Sequence, residues 1–394
     1  MPEPMTLNPQ TLQEEIDRAH KELMVLYEVS NAMRTTLELN HILYIILTGV
    51  TAHTGLGFNR AILFLVNNKD RCLEPKMAIG PESGEHAQKI WEYVSSHHID
   101  DLIKEERMSV NIQQTTQSAL FQSIKHLSIP MTTTNNLLGT AFHQGECLLL
   151  SEQDLNLYSQ DSFVKIFHSP ELVVMPLKAK DNVNGLIVAD NVYTRKSVTK
   201  EDLKIFTMLA NQAGLAIENS RLYEMTKYQS HIDSLTELWN HGFLQNKLLE
   251  EIEKAKTSGQ PLSLILLDID NFKRLNDTCG HQQGDLVLKE IAKILKKSSR
   301  TNDHPCRYGG EELALILPQT SVEQGLAIAE RIRQNIAEYH FANLSSRPEI
   351  KVSVSIGLAA FPQHAQTKEE LINKTDQAMY IAKFGGKNQT CVAN

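Results

Sequence analysis

The run Leu262-Ser-Leu-Ile-Leu-Leu267 restricts the fold of this chain more than any other segment, because it is almost wholly apolar and passes directly into Asp268-Ile269-Asp270. A strand with apolar residues on both faces belongs in the interior of a sheet that helices cover on each side. Its acidic end then puts two carboxylates at a sheet edge, where burial is costly unless a cation or hydrogen bonds compensate. The pattern downstream predicts a helix over 284–298, a hairpin over 305–317, a helix over 322–339, a strand over 351–360 and a helix over 368–384. This alternation is that of an α/β sandwich, with helices packed on a mixed sheet.

A second core precedes it. Residues 11–34 carry Ile16, Leu23, Leu26 and Val29 at helical spacing, and a further helix is expected over 37–54. Strands follow at 61–66 and 72–79, and another at 147–151. Two β-rich runs at 172–180 and 186–190 flank Asp181-Asn-Val-Asn-Gly185, which reads as a hairpin turn centred on Asn184-Gly185. The stretch 81–160 is mixed and shows no clear period. From 199 to 232 the chain reads as one long helix, with Phe206, Ala210, Ala213 and Ile217 on one face. Met208, Leu215 and Leu222 fall seven apart on it, with Met225 and Ile232 beyond. That spacing fits a parallel helix pair, and packing within the helix's own domain fits its first half equally well.

The 394 residues exceed one ordinary core. The expected division is an entry helix over 1–35, a sensor-like domain over 36–198, a linking helix over 199–232 and a second domain over 233–394. The formal charge of −8 excludes general attraction to nucleic acid, so a polyanionic ligand would need a few local cations. Five scattered cysteines fit a reducing compartment, and no apolar run approaches the roughly 20 residues that span a bilayer. No basic segment followed by an apolar stretch opens the sequence, so the expectation is a cytoplasmic protein with no membrane partner.

The chemistry concentrates in two places. One is the acidic strand end at Asp268. The other is Arg307-Tyr-Gly-Gly-Glu-Glu-Leu313, which reads as a tight hairpin with carboxylates at its tip and two glycines that let a bulky ligand approach the backbone. If the two strands are neighbours, Asp268 and Glu311 can share divalent ions, as phosphoryl transfer requires. Taken alone, each is equally an ordinary acidic turn or strand end.

Together with Asp268-Ile-Asp-Asn-Phe-Lys-Arg-Leu-Asn276-Asp277, Gly280-His281 and Gly284-Asp285, these residues resemble the GGDEF domain of diguanylate cyclases. The resemblance runs from about Asp233 to Asn394. It includes Asp233-Ser-Leu-Thr-Glu-Leu-Trp-Asn240, Ser355-Ile-Gly357, Met379-Tyr-Ile-Ala-Lys383 and Gly386-Lys387-Asn388. It implies condensation of two GTP, one per subunit of a homodimer, into cyclic di-GMP and two pyrophosphates. By the same resemblance Asp268, the Ile269 carbonyl and Glu311 hold Mg2+ or Mn2+, and Glu312 is a candidate helper in deprotonating the attacking hydroxyl. Asn276 and Asp285 read the guanine edge, for which the plainer reading of Asp285 is a helix cap after Gly284. Lys273, Lys383 and Lys387 match phosphate-contacting positions. Arg300-Thr-Asn-Asp303 matches the family's inhibitory RxxD site for product, with Arg331 resembling a secondary contact from a partner subunit. Leu313, His241 and Lys387 depart from the commoner phenylalanine, arginine and arginine, and each keeps the metal and guanine positions intact.

The first domain resembles a GAF domain, an expectation that brings an unidentified small-molecule ligand with it. Cys147, His143 and His168 are the side chains with ligand chemistry there, and the adjacent His97-His98 pair points its rings apart in any regular element. Two other functions compete with the cyclase reading. One is a degenerate domain that only senses nucleotide, which predicts broken metal carboxylates. The other is a cyclase making a mixed dinucleotide, which predicts loss of Asp285.

Overall fold

A computed structural model of the chain describes residues 23–24, 26–52, 55–81, 105–132, 136–344 and 350–394. The chain divides into two compact units, Met1–Met225 and Thr226–Asn394. Most of the expected entry helix and the His97-His98 pair lie outside the described residues; residues 23, 24 and 26–35 are helical.

The first unit is built on an antiparallel sheet ordered β3-β2-β1-β6-β5-β4. Its strands are β1 Arg60–Asn67, β2 Cys72–Ile79, β3 Ile129–Pro130, β4 Leu148–Ser151, β5 Glu171–Ala179 and β6 Asn182–Asp190. Alternation along β1 and β6 gives each face its own core. Leu63, Leu65 and Ile187 join the core formed with helices α1 Leu39–Thr51 and α2 Lys200–Ser230. Ile62, Phe64 and Val188 face the opposite core, which contains Phe163 and Leu137. The helix α2 starts in a reciprocal cap, in which Asp202 Oδ2 accepts from the Thr199 backbone N–H and hydroxyl while Thr199 Oγ1 accepts from the Asp202 N–H.

The hairpin turn is not where the Asn-Gly pair suggests. Ala179 pairs with Asn182, so the turn is Lys180-Asp181, with Lys180 in the left-handed region at φ 55°. Asn184 and Gly185 lie within β6. A Cβ at Gly185 would sit 2.2 Å from the Phe64 carbonyl oxygen, so this glycine serves the close approach of β1 rather than a turn.

The second unit has the sheet order β11-β10-β7-β9-β8, with strands β7 Leu262–Ile269, β8 His304–Arg307, β9 Glu312–Pro318, β10 Val354–Phe361 and β11 Thr390–Val392. Only the β10–β11 pair is parallel, which makes the sheet mixed as expected. All eight residues of β7 are buried between two cores. Ile265, Leu267 and Ile269 face the core that includes helices α5 His281–Ser298 and α6 Val322–Glu338. Leu264 and Leu266 face the core beneath α3 His241–Ser258 and α7 Lys368–Phe384. The period of two puts Asp268 on the α7 side.

Two elements differ from expectation. The helix expected over 284–298 starts at His281, and a separate helix α4, Phe272–Cys279, precedes it. With Phe272 and Leu275 as its only buried residues, α4 is too short to show a helical period. Asp285 is therefore the fifth residue of α5 and not its cap, a position Gly280 occupies at φ 88°. The three-residue β11 was also absent from the sequence reading, because its pairing with β10 depends on α7 returning the chain across the sheet.

That return is tight. A Cβ at Gly357 would sit 2.1 Å from the Thr375 carbonyl oxygen and 2.4 Å from the Met379 nitrogen, so the Ser355-Ile-Gly357 segment sets how closely α7 lies on β10. Gly357→Ala should destabilise the protein by about 1–3 kcal/mol through overpacking against backbone. A thermal melt checks this: a clearly lower Tm is expected, and an unchanged Tm would show that the helix can lift off without cost.

Candidate active site

The pairing of β7 with β9 sets Asp268 opposite Glu312. The Ile269 N–H donates to the Glu311 carbonyl at 3.4 Å, so both acidic segments lie at one sheet edge, as the shared-ion reading requires. Asp268 is 4% exposed and pairs with Lys383 Nζ at 2.7 Å. Burial pushes its carboxyl above the usual range, the lysine opposes that, and the charge of Asp270 adds to it. Glu311 and Glu312 are also raised, first by burial and next by the negative charge of Asp268, with Lys383 again opposing. Asp268 thus opposes the charge of both Glu311 and Glu312, and the Lys383 ammonium offsets all three.

Asp270 has a different role. Its oxygens accept from the Ser353 and Ser355 hydroxyls, each at 2.6 Å, and from the Asn388 N–H at 3.0 Å. These bonds tie β7, β10 and the loop after α7 together, so Asp270 is held by the protein while Asp268 pairs with Lys383.

The hairpin tip is clamped from outside. Arg307 donates through Nε to the Gly309 carbonyl at 3.1 Å and through Nη2 to the Gly310 carbonyl at 2.8 Å. Its Nη1 donates to both oxygens of Asp233, at 3.0 and 3.1 Å. Asp233 Oδ1 also accepts from the Thr236 N–H and hydroxyl. Burial alone would raise the Asp233 carboxyl, but the bonds from Thr236 and Arg307 outweigh it and hold the group below its ordinary value. The Trp239 N–H donates to the Pro305 carbonyl and its carbonyl accepts from the Arg307 N–H, so the 233–240 segment adds to the strand that carries the clamp. Nothing in a linear pattern joins Arg307 to Asp233, 74 residues away, so the sequence does not reveal this clamp.

The two glycines differ. A Cβ at Gly309 would press within 2.8 Å of Glu312 Oε2, whereas one at Gly310 would meet open space. Gly309 thus protects the position of a carboxylate, and the backbone at Gly310 remains open to a ligand.

On α4 and α5 the structure brings Asn276 to Gly284. Asn276 Oδ1 is buried without a hydrogen-bond partner, and a Cβ at Gly284 would lie 1.9 Å from it. Asp285, the next residue, is exposed. An orphaned amide oxygen beside a solvent-facing carboxylate offers two acceptors to a donor-rich edge. Lys387 Nζ donates to Asn271 Oδ1 at 2.5 Å, and its charge also lowers the Asp268 carboxyl. Lys273, on α4, is exposed.

Away from this edge, Arg300 and Asp303 form a turn between α5 and β8. The Arg300 N–H donates to Asp303 Oδ2 at 2.7 Å, and Arg331 Nη2 donates to the Ser298 carbonyl at 3.0 Å. One chain therefore brings both arginines to the same turn. In the first unit, burial raises the Cys147 thiol to about 11, and His143 Nε2 contacts the Met131 carbonyl. Among the described residues no three His, Cys, Asp or Glu side chains converge as a closed metal centre. The carboxylates at the β7 edge are hard oxygen donors in an open arrangement, of the kind that would suit a hard divalent cation.

A family model described as the diguanylate cyclase GGDEF domain matches residues 230–389, and a GAF domain model matches residues 38–217. Diguanylate cyclase A of Treponema denticola is 34% identical over 238 residues, 59% of this chain and 62% of that protein. Response regulator PleD of Caulobacter vibrioides is 41% identical over 156 residues, 40% of this chain and 34% of its own length. The chain thus spans less than two thirds of these relatives. The solved coiled coil and GGDEF domain of DgcB from Caulobacter crescentus, in complex with c-di-GMP, is 28% identical at a TM-score of 0.43, covering 47% of this chain and 97% of that one. The active GGEEF domain of a diguanylate cyclase from Vibrio cholerae is 34% identical at a TM-score of 0.37, covering 39% and 97%.

The charge cluster makes a prediction that does not depend on turnover. Carboxyls raised in the folded state cost stability as pH rises from their unfolded values through their folded ones. Glu311→Gln should therefore raise the Tm of metal-free protein at pH 8, with the gain shrinking toward pH 4. Mg2+ should raise the Tm of the wild type more than that of the variant. Equal response of both proteins to Mg2+ in thermal melts would remove Glu311 from the metal set.

Proposed function

Because residues 230–389 belong to the GGDEF diguanylate cyclase domain family and residues 38–217 to the GAF family, we propose that this chain condenses two GTP into cyclic di-GMP and two pyrophosphates. The observation that carries the reading is the buried Asp268 facing Glu312 and neighbouring Glu311 around Lys383. Asp268, the Ile269 carbonyl and Glu311 hold Mg2+ or Mn2+, which when bound polarises the α-phosphate and stabilises the charge that develops on it. Lys383, Lys387 and Lys273 neutralise the triphosphate. Asn276 and Asp285 accept from the guanine amino and ring N–H groups, a pattern that adenine lacks.

In each half-reaction the 3′-oxygen of one GTP bonds to the α-phosphorus of the other, and the bond from that phosphorus to the bridging oxygen breaks. Pyrophosphate leaves with the electron pair. Glu312, its carboxyl raised by burial and by Asp268, would take the hydroxyl proton. Each subunit contributes one GTP, so two copies must face one another before either bond forms.

The proposed division is an entry helix over 1–35, a sensor over 36–198, a signalling helix over 199–232 and a catalytic domain over 233–394. The sensor would alter how two catalytic domains meet, in response to a ligand that its residues do not identify. The Arg300–Asp303 turn would bind product, with Arg331 of a second copy as a secondary contact, and hold the domains apart. No helix among the described residues is long and apolar enough to cross a membrane, in keeping with the proposed cytoplasmic location.

Mass analysis of purified protein incubated with GTP, ATP or both in Mg2+ tests the reaction. Cyclic di-GMP from GTP alone is expected, with a loss of at least a hundredfold in Asp268→Asn. A product containing adenosine, or full activity in that variant, contradicts the assignment. Asp285→Ala should relax the preference for GTP over ATP by tenfold or more. Arg300→Ala should leave the initial rate near wild type while abolishing slowing by added cyclic di-GMP, and a variant that slows equally refutes the inhibitory site.

A further inference from the structure

The loop after α7 takes an uncommon course. Gly386, Lys387 and Asn388 stand at φ 120°, 64° and 43°, three consecutive residues at positive φ. Gly386 adopts this freely, whereas Lys387 and Asn388 do so against contacts of their own Cβ, and such a segment persists only where its surroundings hold it. The holding groups come from three places. The Lys387 N–H donates to the Ala382 carbonyl at 3.1 Å, near the end of α7, and the Asn388 N–H donates to Asp270 Oδ2 at 3.0 Å. The third is Arg333, on α6. Its Nη1 donates to Asn388 Oδ1 at 2.9 Å and to the Asn388 carbonyl at 3.3 Å, across 55 residues of sequence. The other edge of the guanidinium forks onto Glu330, one turn back along α6, through Nε at 3.0 and 3.1 Å and Nη2 at 2.9 Å. With both edges engaged and its side chain 16% exposed, Arg333 is a strut between α6 and the loop.

We propose that Arg333 is a positioning residue for Lys387, holding the 386–388 loop in the course from which the lysine meets the triphosphate. The inference rests on the proposed reading of Lys387 as a phosphate contact. Lys387 Nζ already reaches Asn271 Oδ1 at the start of α4, so its long stem is fixed at the backbone by the loop and at the tip by α4. A lysine on a loop free to relax out of positive φ would lose that direction and would have to be ordered each time a phosphate bound. The cost would fall on binding rather than on the chemical step, because the loop carries neither the carboxylates nor the Ile269 carbonyl of the metal set. The strut also calls for arginine in particular, since one ammonium cannot serve Glu330 and Asn388 with the two edges of a planar fork.

A double-mutant cycle on the full chain tests this, with binding of a non-hydrolysable GTP analogue in Mg2+ followed by calorimetry and the fold checked by circular dichroism. Lys387→Ala should weaken binding about tenfold, the loss of one charge-assisted contact. Arg333→Met should weaken it about fivefold, and the double variant should bind within about twofold of Lys387→Ala alone, because the strut acts only through the lysine. Arg333→Lys should retain most of the loss despite keeping the charge. In steady-state turnover of GTP, Arg333→Met should raise KM by a similar factor with kcat within about threefold. Should Arg333→Met fail to fold, Asn388→Gly removes the Oδ1 acceptor at a backbone angle glycine accepts, and the same cycle with Lys387→Ala applies. Losses that multiply in the double variant, or wild-type binding in Arg333→Lys, show a general structural or charge effect and overturn the positioning role. So does wild-type binding in Arg333→Met when Lys387→Ala is weakened. Wild-type binding in Lys387→Ala instead removes the phosphate role of the lysine, and the proposal falls with that reading.

Discussion

The pair of Asp268 and Lys383 is the interaction on which the second unit depends. A carboxylate 4% exposed at the end of an otherwise apolar strand would be costly alone, and the ammonium 2.7 Å away compensates it. The lysine reaches it only because α7 lies close on β10, a closeness that Gly357 permits. Register then does the rest. The β7–β9 pairing sets Asp268 opposite Glu312 and brings the Glu311 carbonyl to the Ile269 N–H, so the acidic hairpin cannot shift without breaking a fully buried ladder.

The cluster is left short of positive charge by design of the surrounding contacts. Arg307, the nearest arginine in sequence, is turned outward to the Gly309 and Gly310 carbonyls and to Asp233. Asp270 is satisfied by two serines and an amide. What remains is three raised carboxyls, with Lys383 paired to Asp268 and the charge of Lys387 nearby, an arrangement that would suit a divalent cation. The same segment that receives the Arg307 fork, from Asp233 to Trp239, follows directly after α2 in the chain. A change at the end of that helix therefore has a bonded route to the hairpin tip, through the Trp239 bonds to Pro305 and Arg307.

Much of this was legible in the sequence because burial leaves a period. The strand β7 and the helices α6 and α7 match their expected ranges within a few residues, since each presents a regular apolar face to a core. The carboxylates and lysines were named from a motif, and the structure brings Asp268, Glu311, Glu312, Lys383 and Lys387 to one edge. Short elements left no period, which is why α4 and β11 were missed. Asn184-Gly185 misled because a glycine demanded by a neighbouring strand looks like a glycine demanded by a turn. Asp285 resembles a cap because it follows Gly284, and only the start of α5 at His281 places it inside the helix. The Arg307–Asp233 clamp and the orphaned Asn276 oxygen are tertiary facts with no linear signature.

The proposed metal set requires a divalent cation to share Asp268 with the Lys383 ammonium, which stands 2.7 Å from that carboxylate and would compete for it. Titrating Mn2+ into wild type and Lys383→Met, with free ion followed by electron paramagnetic resonance, tests it most directly. The account predicts that the variant binds Mn2+ alone several-fold more tightly, because the competing ammonium is gone, while binding a non-hydrolysable GTP analogue more weakly for want of a phosphate contact. Mn2+ binding that is unchanged or weaker in the variant would contradict it.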